Sequence, residues 1–226
     1  MQTGQGQLVE LILQDGFRSA RLSCPEKLIP SPGQYLLAGD DSSSLLPVPL
    51  FYTDSAPSGF IAAPPMPDSW NPRQKIRLRG PLGRGFTLPI PARRVALVAY
   101  DNTSARLLGL IRPALEQNAA VVLVSDFVSD SLPDDVEIQP LSTLPEVCEW
   151  AGYIALDVAR ENLPELRKRL DPLNQVSVLK EAQVLISTLM PCGGVAECGV
   201  CGVTIKSSWR MACKEGPVFD WGDIRE

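Results

Sequence analysis

The chain contains no histidine among its 226 residues. This absence excludes every site that depends on an imidazole group: Ser-His-Asp triads, HExxH zinc sites, Rieske-type clusters and histidine general bases. Because histidine is the side chain most often used for proton transfer in enzymes, the composition disfavours ordinary acid–base catalysis. Electron transfer needs no such group, so that class of function stays open.

The sequence also lacks long apolar runs, a basic leader and an excess of positive charge. Its longest apolar runs, at 95–100 and 119–124, are as long as β-strands and far too short to span a bilayer. No basic segment followed by an apolar stretch begins the chain, so we expect no signal peptide, no membrane insertion and a cytoplasmic location. The net charge of −5 disfavours nucleic acid and anionic membrane surfaces as partners.

What the chain does contain is a group of cysteines near its end. Their spacing is C-x5-C-x2-C with a fourth cysteine further on, one residue longer in the first gap than the C-x4-C-x2-C pattern of plant-type iron–sulfur sites. Glycines at 193, 194 and 199 let the backbone bend tightly and bring amide N–H groups toward inorganic sulfurs. The pattern predicts an iron–sulfur cluster of the 2Fe–2S type, with the ligands Cys192, Cys198, Cys201 and Cys213.

Other states of these thiols remain open at this stage. Two disulfides would require an oxidising compartment, which the rest of the chain does not indicate. A structural zinc ion usually takes two C-x2-C units, and this chain has one. A four-iron cluster is compatible with the spacing. The remaining cysteines, Cys24 and Cys148, are isolated in sequence, and we expect them to be small buried hydrophobic residues.

Hydrophobic patterns divide the chain into three predicted domains, at 1–90, 91–188 and 189–226. The first has six short strand-like runs separated by turn residues, which predicts an antiparallel β-barrel. The second has buried runs that alternate with helical patterns at 104–117 and 163–170, which predicts a small α/β domain with a parallel sheet. The fold class is therefore α+β and multi-domain, with a C-terminal iron–sulfur subdomain.

Two local features refine this prediction. Pro113 lies inside the first helical pattern of the second domain, and we expect it to kink or break that helix. The chain ends in an aromatic tail, in which we expect Phe219 and Trp221 to pack onto the body of the protein.

Two strings suggest a relationship. GPLGRGF at 80–86 follows the last predicted barrel strand, and CKEGPVF at 213–219 follows the cysteine group. In this domain order the chain resembles the electron-transfer subunits of dihydroorotate dehydrogenase, within the ferredoxin-reductase-like superfamily. The resemblance implies FAD, a 2Fe–2S cluster and a hetero-oligomer, in which electrons pass between NAD and a flavin in a catalytic partner of pyrimidine biosynthesis.

The nucleotide motifs depart from that family. Its flavin motif, Arg-x-Tyr-Ser/Thr, retains Tyr52 and Thr53 here but has Leu50 in place of the arginine, and its Gly-Thr turn is replaced by the proline-rich PPMPDSW. Asp101 and its neighbours replace the glycines that would approach the pyrophosphate of NAD. Bound FAD therefore stays open, and NAD binding is not expected. The flavin contacts that the resemblance implies are Tyr52, Thr53, Gly80, Gly83 and Gly85.

We therefore expect an electron-transfer subunit rather than a complete enzyme. Its cluster would relay electrons to or from a catalytic flavoprotein or another oxidoreductase, such as a hydrogenase or a glutamate-synthase-like enzyme. Two alternatives belong to other classes. One is a complete FAD- and NAD-dependent reductase subunit, and the other is a non-redox scaffold whose cysteines hold zinc.

Overall fold

The computed structural model describes residues 2–14, 17–39, 46–101, 103–127, 132–174 and 181–224. Within these ranges the chain forms a closed six-stranded barrel, a six-stranded sheet and a two-stranded hairpin. This confirms the predicted fold class. No helix in the described ranges is both long enough and apolar enough to cross a bilayer.

The barrel is antiparallel, with the strand order β1-β2-β5-β4-β3-β6. Buried and more exposed residues alternate along β2 and β6, whereas β3 is buried along most of its length, and the barrel core includes Leu8, Leu36 and Leu50. The first half of β1, rich in Gln and Gly, has no alternation of apolar and polar side chains, and it is held by ladder pairing with β6 from Gln2↔Gly80 to Gln7↔Lys75. The barrel strands are β1 (Gln2–Gln14), β2 (Phe17–Ser23), β3 (Tyr35–Gly39), β4 (Val48–Ala56), β5 (Gly59–Ala62) and β6 (Lys75–Leu82).

The larger sheet has five parallel strands and one antiparallel edge strand, and helices join several of its strands. Its parallel strands are β7 (Arg94–Ala99), β8 (Ala120–Val124), β9 (Val136–Gln139), β10 (Tyr153–Ala159) and β11 (Ala182–Ser187). The connecting helices are α1 (Ile111–Glu116), α2 (Leu144–Trp150) and α3 (Leu163–Asn174). Because β7, β8, β10 and β11 are buried on both faces, they are continuous apolar runs, and the sequence predicted each of them.

Two local predictions in this region need correction. The helical pattern at 104–117 forms a helix only from Ile111, after a short 3-10 turn, so Pro113 lies in the first turn of α1. There it neither kinks nor breaks the helix, since the N–H that proline lacks would have no intrahelical partner. In addition, neither β9 nor α2 is predicted by the hydrophobic pattern.

The C-terminal region returns to the sheet. A hairpin, β12 (Gly202–Ile205) and β13 (Ser208–Met211), is followed by β14 (Val218–Asp220) and the short helix α4 (Trp221–Ile224). β14 pairs antiparallel with β11, with Phe219 opposite Val184. Phe219 and Trp221 are buried, which confirms the predicted packing of the tail. The cysteine segment is therefore a long loop between two neighbouring strands, anchored to the sheet at both ends.

Candidate metal centre

Local structure brings the four C-terminal cysteines together. Cys192 and Cys198 lie in the loop after β11, Cys201 directly precedes β12, and Cys213 follows β13. The hairpin pairs Gly202 with Met211, so the residues that flank it come side by side despite their separation in sequence. Cys201 and Cys213 are buried, Cys192 is half-buried and Cys198 is exposed.

The thiols interact as two contacting pairs. The Cys198 thiol hydrogen-bonds to the sulfur of Cys192, and Cys213 hydrogen-bonds to Cys201. The charge of Cys192 also raises the pKa of Cys213, so the two pairs interact electrostatically. The four predicted ligands thus lie in one region as two pairs, and their role as metal ligands stays a prediction.

Hydrogen bonds make the two pairs chemically different. Burial alone would raise the pKa of Cys192, but hydrogen bonds from Cys198 and from the backbone of Glu197 and Val195 lower that pKa to about 6. For Cys213, burial raises the pKa to about 12, with further contributions from Cys201. The loop therefore stabilises negative charge on sulfur at its exposed side.

The backbone of this loop presents several N–H groups to the sulfurs. Gly193, Gly194 and Gly199 have positive φ angles of 64°, 72° and 71°. Ala196 shares this conformation at 64°, which is unusual for a residue with a Cβ. The Ala196 amide donates to the sulfur of Cys213. Successive N–H groups that converge in this way form a concave site for anions. The glycines signalled this loop in the sequence, whereas Ala196 gave no signal.

Which metal group these thiols hold stays a prediction. In a 2Fe–2S cluster with four cysteines, each iron takes two thiolates, and the two contacting pairs match this donor set. A mononuclear zinc site would need all four thiols around one ion. Among the described residues, no group of three or more His, Cys, Asp or Glu side chains is arranged to hold one metal ion. All six cysteines are free thiols.

The two remaining cysteines lie away from this site. Cys148 is fully buried in the core against the larger sheet, as predicted, and burial raises its pKa to about 12. Cys24 packs next to the barrel core but is only half-buried, so it is less buried than predicted. It follows directly after β2, where the chain leaves the barrel wall.

A buried tyrosine joins the barrel to the cysteine site. The Tyr35 hydroxyl, from β3, donates a hydrogen bond of 2.7 Å to the carbonyl oxygen of Cys213. Burial raises the pKa of Tyr35, and the neighbouring thiols of Cys213 and Cys201 raise it further. The hydroxyl therefore stays protonated and keeps its role as a donor. Sequence reasoning missed Tyr35, because nothing near it in the chain relates it to residue 213.

The two strings that carried the resemblance pack against each other. The Arg84 amide donates to the Gly216 carbonyl at 2.5 Å, and the Arg84 guanidinium contacts both carboxylate oxygens of Asp220 at 3.0 Å. Gly83 has a φ of 74°, and a Cβ at that position would lie only 2.6 Å from the Gly216 oxygen. The GPLGRGF segment therefore holds the end of the cysteine region against the barrel.

The residues that the resemblance assigned to flavin make other contacts. Tyr52 stacks on Phe60 with ring centroids 6.2 Å apart, and a Cβ on Gly109 would lie 2.6 Å from its ring. Gly80, Gly83 and Gly85 pack against protein atoms of β3, the C-terminal tail and the turn before β3. Their assignment to flavin stays a prediction.

Thr53 lines a cavity of about 780 Å³ between the barrel and α1. Its hydroxyl is buried and has no hydrogen-bond partner among the described residues. The cavity is large enough for a sizeable ligand, but its described lining contains three carboxylates and one guanidinium. That guanidinium, Arg112, already contacts Asp54 at 3.8 Å and donates to Ser55.

These features do not fit the diphosphate of FAD. Leu50, at the position of the family's arginine, is fully buried in the barrel core and offers no charge to a ligand. A diphosphate in the cavity would meet three carboxylates and one guanidinium in the described lining, so hydroxyl groups such as that of Thr53 would have to supply most of its hydrogen bonds.

Side chains of the protein bond to one another at the crevice where NAD would bind. In an open α/β sheet, ligands bind where the strand order reverses, here at the carboxyl ends of β7 and β10. There the Asp101 carboxylate accepts hydrogen bonds from the Ala159 amide and, at 2.6 Å, from the Asn162 side chain. Behind it, Arg106 and Asp157 form a buried ion pair at 2.9 Å. A pyrophosphate would meet a carboxylate here instead of free N–H groups.

Comparisons with known proteins agree with the resemblance. No protein-family model matches the chain. It is 27% identical, over an alignment of 224 residues, to the electron transfer subunit of dihydroorotate dehydrogenase B (NAD(+)) from Desulforamulus reducens, which covers 83% of this chain and 84% of the relative. It is also 44% identical over 41 residues to the sulfhydrogenase 1 subunit gamma of Pyrococcus furiosus, a match to 18% of this chain and 14% of that subunit.

Solved structures extend the comparison to the fold. An NADH-dependent reduced ferredoxin-NADP oxidoreductase superposes with a TM-score of 0.64 at 13% identity, over 97% of this chain and 89% of the other. The Amycolatopsis cytochrome P450 reductase GcoB gives a TM-score of 0.60 at 15% identity, over 80% and 69%. The chain therefore has the ferredoxin-reductase-like fold and resembles, over most of its length, the electron-transfer subunit of dihydroorotate dehydrogenase B.

Proposed function

We propose that this chain is an electron-transfer subunit of an oxidoreductase complex and that Cys192, Cys198, Cys201 and Cys213 hold a 2Fe–2S cluster. The observation that carries the proposal is the arrangement of these thiols as two contacting pairs, with loop amides directed at their sulfurs. When bound, such a cluster would accept and release one electron at a time.

The surrounding residues suit that task. Amide N–H groups of Val195, Glu197 and Cys198 donate to sulfur and so offset the extra negative charge of a reduced site. Burial of Cys201 and Cys213 excludes water from one side. Cys198, on the exposed side, leaves a short approach for a redox partner. Tyr35 acts through the backbone of Cys213 and keeps this most distant ligand in place.

We propose a hetero-oligomer with a catalytic flavoprotein or another oxidoreductase subunit, in which substrate chemistry occurs on the partner. The two curated relatives are named as subunits of a dihydroorotate dehydrogenase and of a sulfhydrogenase, and these names support a subunit role. A dehydrogenase partner would connect the chain to pyrimidine biosynthesis, and a hydrogenase partner would not. A cytoplasmic location remains part of the proposal.

In this proposal the chain works without nicotinamide, because its own side chains fill the crevice between β7 and β10. A complete flavin-dependent reductase is the second candidate. The cavity beside Thr53 and the unpaired buried hydroxyl of that residue favour it, and the carboxylates in the described lining and the buried Leu50 oppose it.

The test is an anaerobic ultraviolet–visible spectrum before and after dithionite, with iron and zinc contents measured on the same sample. We expect about two irons per chain, following from a 2Fe–2S cluster, and broad visible absorption that bleaches partly on reduction. Additional flavin bands would favour the complete reductase. A colourless protein with bound zinc would contradict the proposal and favour the scaffold.

A further inference from the structure

A groove runs along the barrel beside the cysteine loop and has a volume of about 750 Å³. Residues of β1, β3 and β6 form one wall, and the turn with Pro191, Cys192 and Gly193 forms the other. This groove is separate from the cavity beside Thr53, and the two share no lining residue among those described. One of the proposed cluster ligands therefore lies at its edge.

The described lining of the groove carries positive charge, on a protein that is negative as a whole. Its described lining residues include Arg77 and Arg79 and no carboxylate, whereas the chain has a net charge of −5. Both arginines lie on β6 two residues apart, so they project from the same side of the strand. Among the described residues, no carboxylate lies within ion-pair distance of Arg79.

Arg79 lies close to the cysteine loop. Its Nη2 atom is 3.6 Å from the position that a Cβ on Gly193 would occupy, and its charge acts on Tyr35. An anionic group that binds Arg79 would therefore be held next to Cys192. The groove offers a charged contact at the edge of the proposed redox centre.

Apolar side chains are exposed around the same groove. Leu46, Leu189 and Val195 are 54%, 77% and 46% exposed, and each lies within two residues of one that lines the groove. Exposed apolar groups that cluster beside arginines are typical of protein–protein interfaces, in which arginine is enriched and an apolar centre is buried. A small anion would leave these apolar side chains uncovered, whereas a protein surface would bury them.

We propose that the groove docks an acidic segment of the partner oxidoreductase subunit. Its carboxylates pair with Arg79, next to which Arg77 adds positive charge, and its apolar side chains cover Leu189 and Val195. This inference rests on the proposed function, which requires a partner close to the cysteine site. It adds the chemistry of that partner's contact surface and the side from which it approaches.

The first test reverses the charge of the groove. The tagged chain is produced in the organism from which it comes, so that it assembles with its natural partner. Partner affinity is compared for the wild type, Arg77→Glu/Arg79→Glu, the milder Arg79→Gln, and Lys168→Glu, a control on the exposed face of α3. We expect the double variant to lose affinity at least about tenfold, with a weaker salt dependence than the wild type. Equal affinities for the double variant and the Lys168→Glu control would overturn the proposal.

The second test identifies the contact directly. Arg79→Lys places an amine in the groove, and a zero-length carbodiimide reagent then joins it to any adjacent carboxylate in the assembled complex. A link to an Asp or Glu of a different polypeptide supports the proposal. Links only within this chain, links only to a second copy, or no link at position 79 in an otherwise cross-linked complex would overturn it.

The iron content of the same samples separates this inference from the proposed function. Iron-free protein that still forms the link at position 79 would refute the cluster and retain the docking site. Iron-loaded protein without that link would refute the docking site and retain the cluster.

Discussion

Tyr35 connects two parts of the chain that lie 178 positions apart in sequence, through one buried hydrogen bond to Cys213. Its ring also packs against Phe51 with centroids 5.6 Å apart, so the side chain is held from both sides. A buried carbonyl that loses its hydrogen-bond donor lowers the free energy of unfolding, because no water replaces the bond. Tyr35 therefore positions the distant cysteine without contacting a sulfur through its hydroxyl.

Tyr35→Phe is expected to lower the free energy of unfolding by about 1–3 kcal/mol, since it removes only the hydroxyl. Denaturant unfolding, followed by fluorescence, measures the change. Tyr52→Phe is the matched control, because its hydroxyl bonds to Ser55 near the surface and its loss should cost less. If both variants lost the same free energy of unfolding, the hydrogen bond from Tyr35 to Cys213 would contribute no more to stability than a hydrogen bond near the surface.

Each cysteine of the two pairs is expected to be necessary for iron binding. Cys198→Ala and Cys213→Ala remove one thiol from each pair, and we expect both variants to lose most of the bound iron and visible absorption. Cys24→Ala, in the barrel, should retain both. Iron analysis and absorption spectra of protein purified without oxygen decide the matter. Normal iron content in either pair variant would contradict the assignment.

Among the larger elements, the contact between 80–86 and the C-terminal tail determines where the cysteine loop lies. Arg84 and Pro217 form a bridge next to the Arg84–Asp220 ion pair, and Gln183 from β11 also donates to Asp220 at 3.0 Å. The barrel, the sheet and the tail meet at this point. Such a junction tolerates little additional volume.

Gly83→Ala should destabilise the protein by about 1–3 kcal/mol, because its φ of 74° and the nearby Gly216 oxygen leave no room for a methyl group. Gly39→Ala is the control, since a Cβ at that position would have no described atom within 4 Å, and a change within about 0.5 kcal/mol is expected. Thermal and denaturant unfolding provide the measurement. Similar stabilities for both variants would argue against a tight junction.

The whole molecule has the ferredoxin-reductase-like fold, and internal contacts lie at the switch point of its larger sheet. Asp101 and Asn162 bind each other at the switch point, and Arg106 with Asp157 forms a buried pair behind them. Removal of one partner from such a pair leaves a buried charge uncompensated. The Arg106–Asp157 pair behind the crevice is thus part of the buried interior of the larger sheet.

We expect the purified chain to show no NADH-dependent reduction of ferricyanide above the rate without protein. The physical reason is that a pyrophosphate would displace internal hydrogen bonds and meet the Asp101 carboxylate. Dithionite reduction of the same sample should still change its absorption, which shows that the redox centre is present. Steady NADH oxidation proportional to protein concentration would contradict this prediction and favour the complete reductase.

Much of the architecture followed from local patterns in the sequence. Short strand-like runs separated by turn residues predicted the barrel strands, and continuous apolar runs predicted β7, β8, β10 and β11, because burial on both faces of a strand requires apolar residues throughout. The spacing of the cysteines and the loop glycines indicated the candidate metal centre in the same way. The edge strand β9 was missed because its pattern is short and half-exposed.

The sequence by itself determined most of the barrel strands and four of the five parallel strands, which thiols are candidates for iron, and that no imidazole chemistry occurs. Only the tertiary structure decided that β14 returns to the sheet, that Tyr35 holds Cys213, that Asp101 bonds to Ala159 and Asn162 at the switch point, and that Arg79 and Cys192 line one groove. These contacts join residues far apart in the chain. Local propensity carries no information about such pairs, since their geometry arises only when the barrel and the sheet pack together.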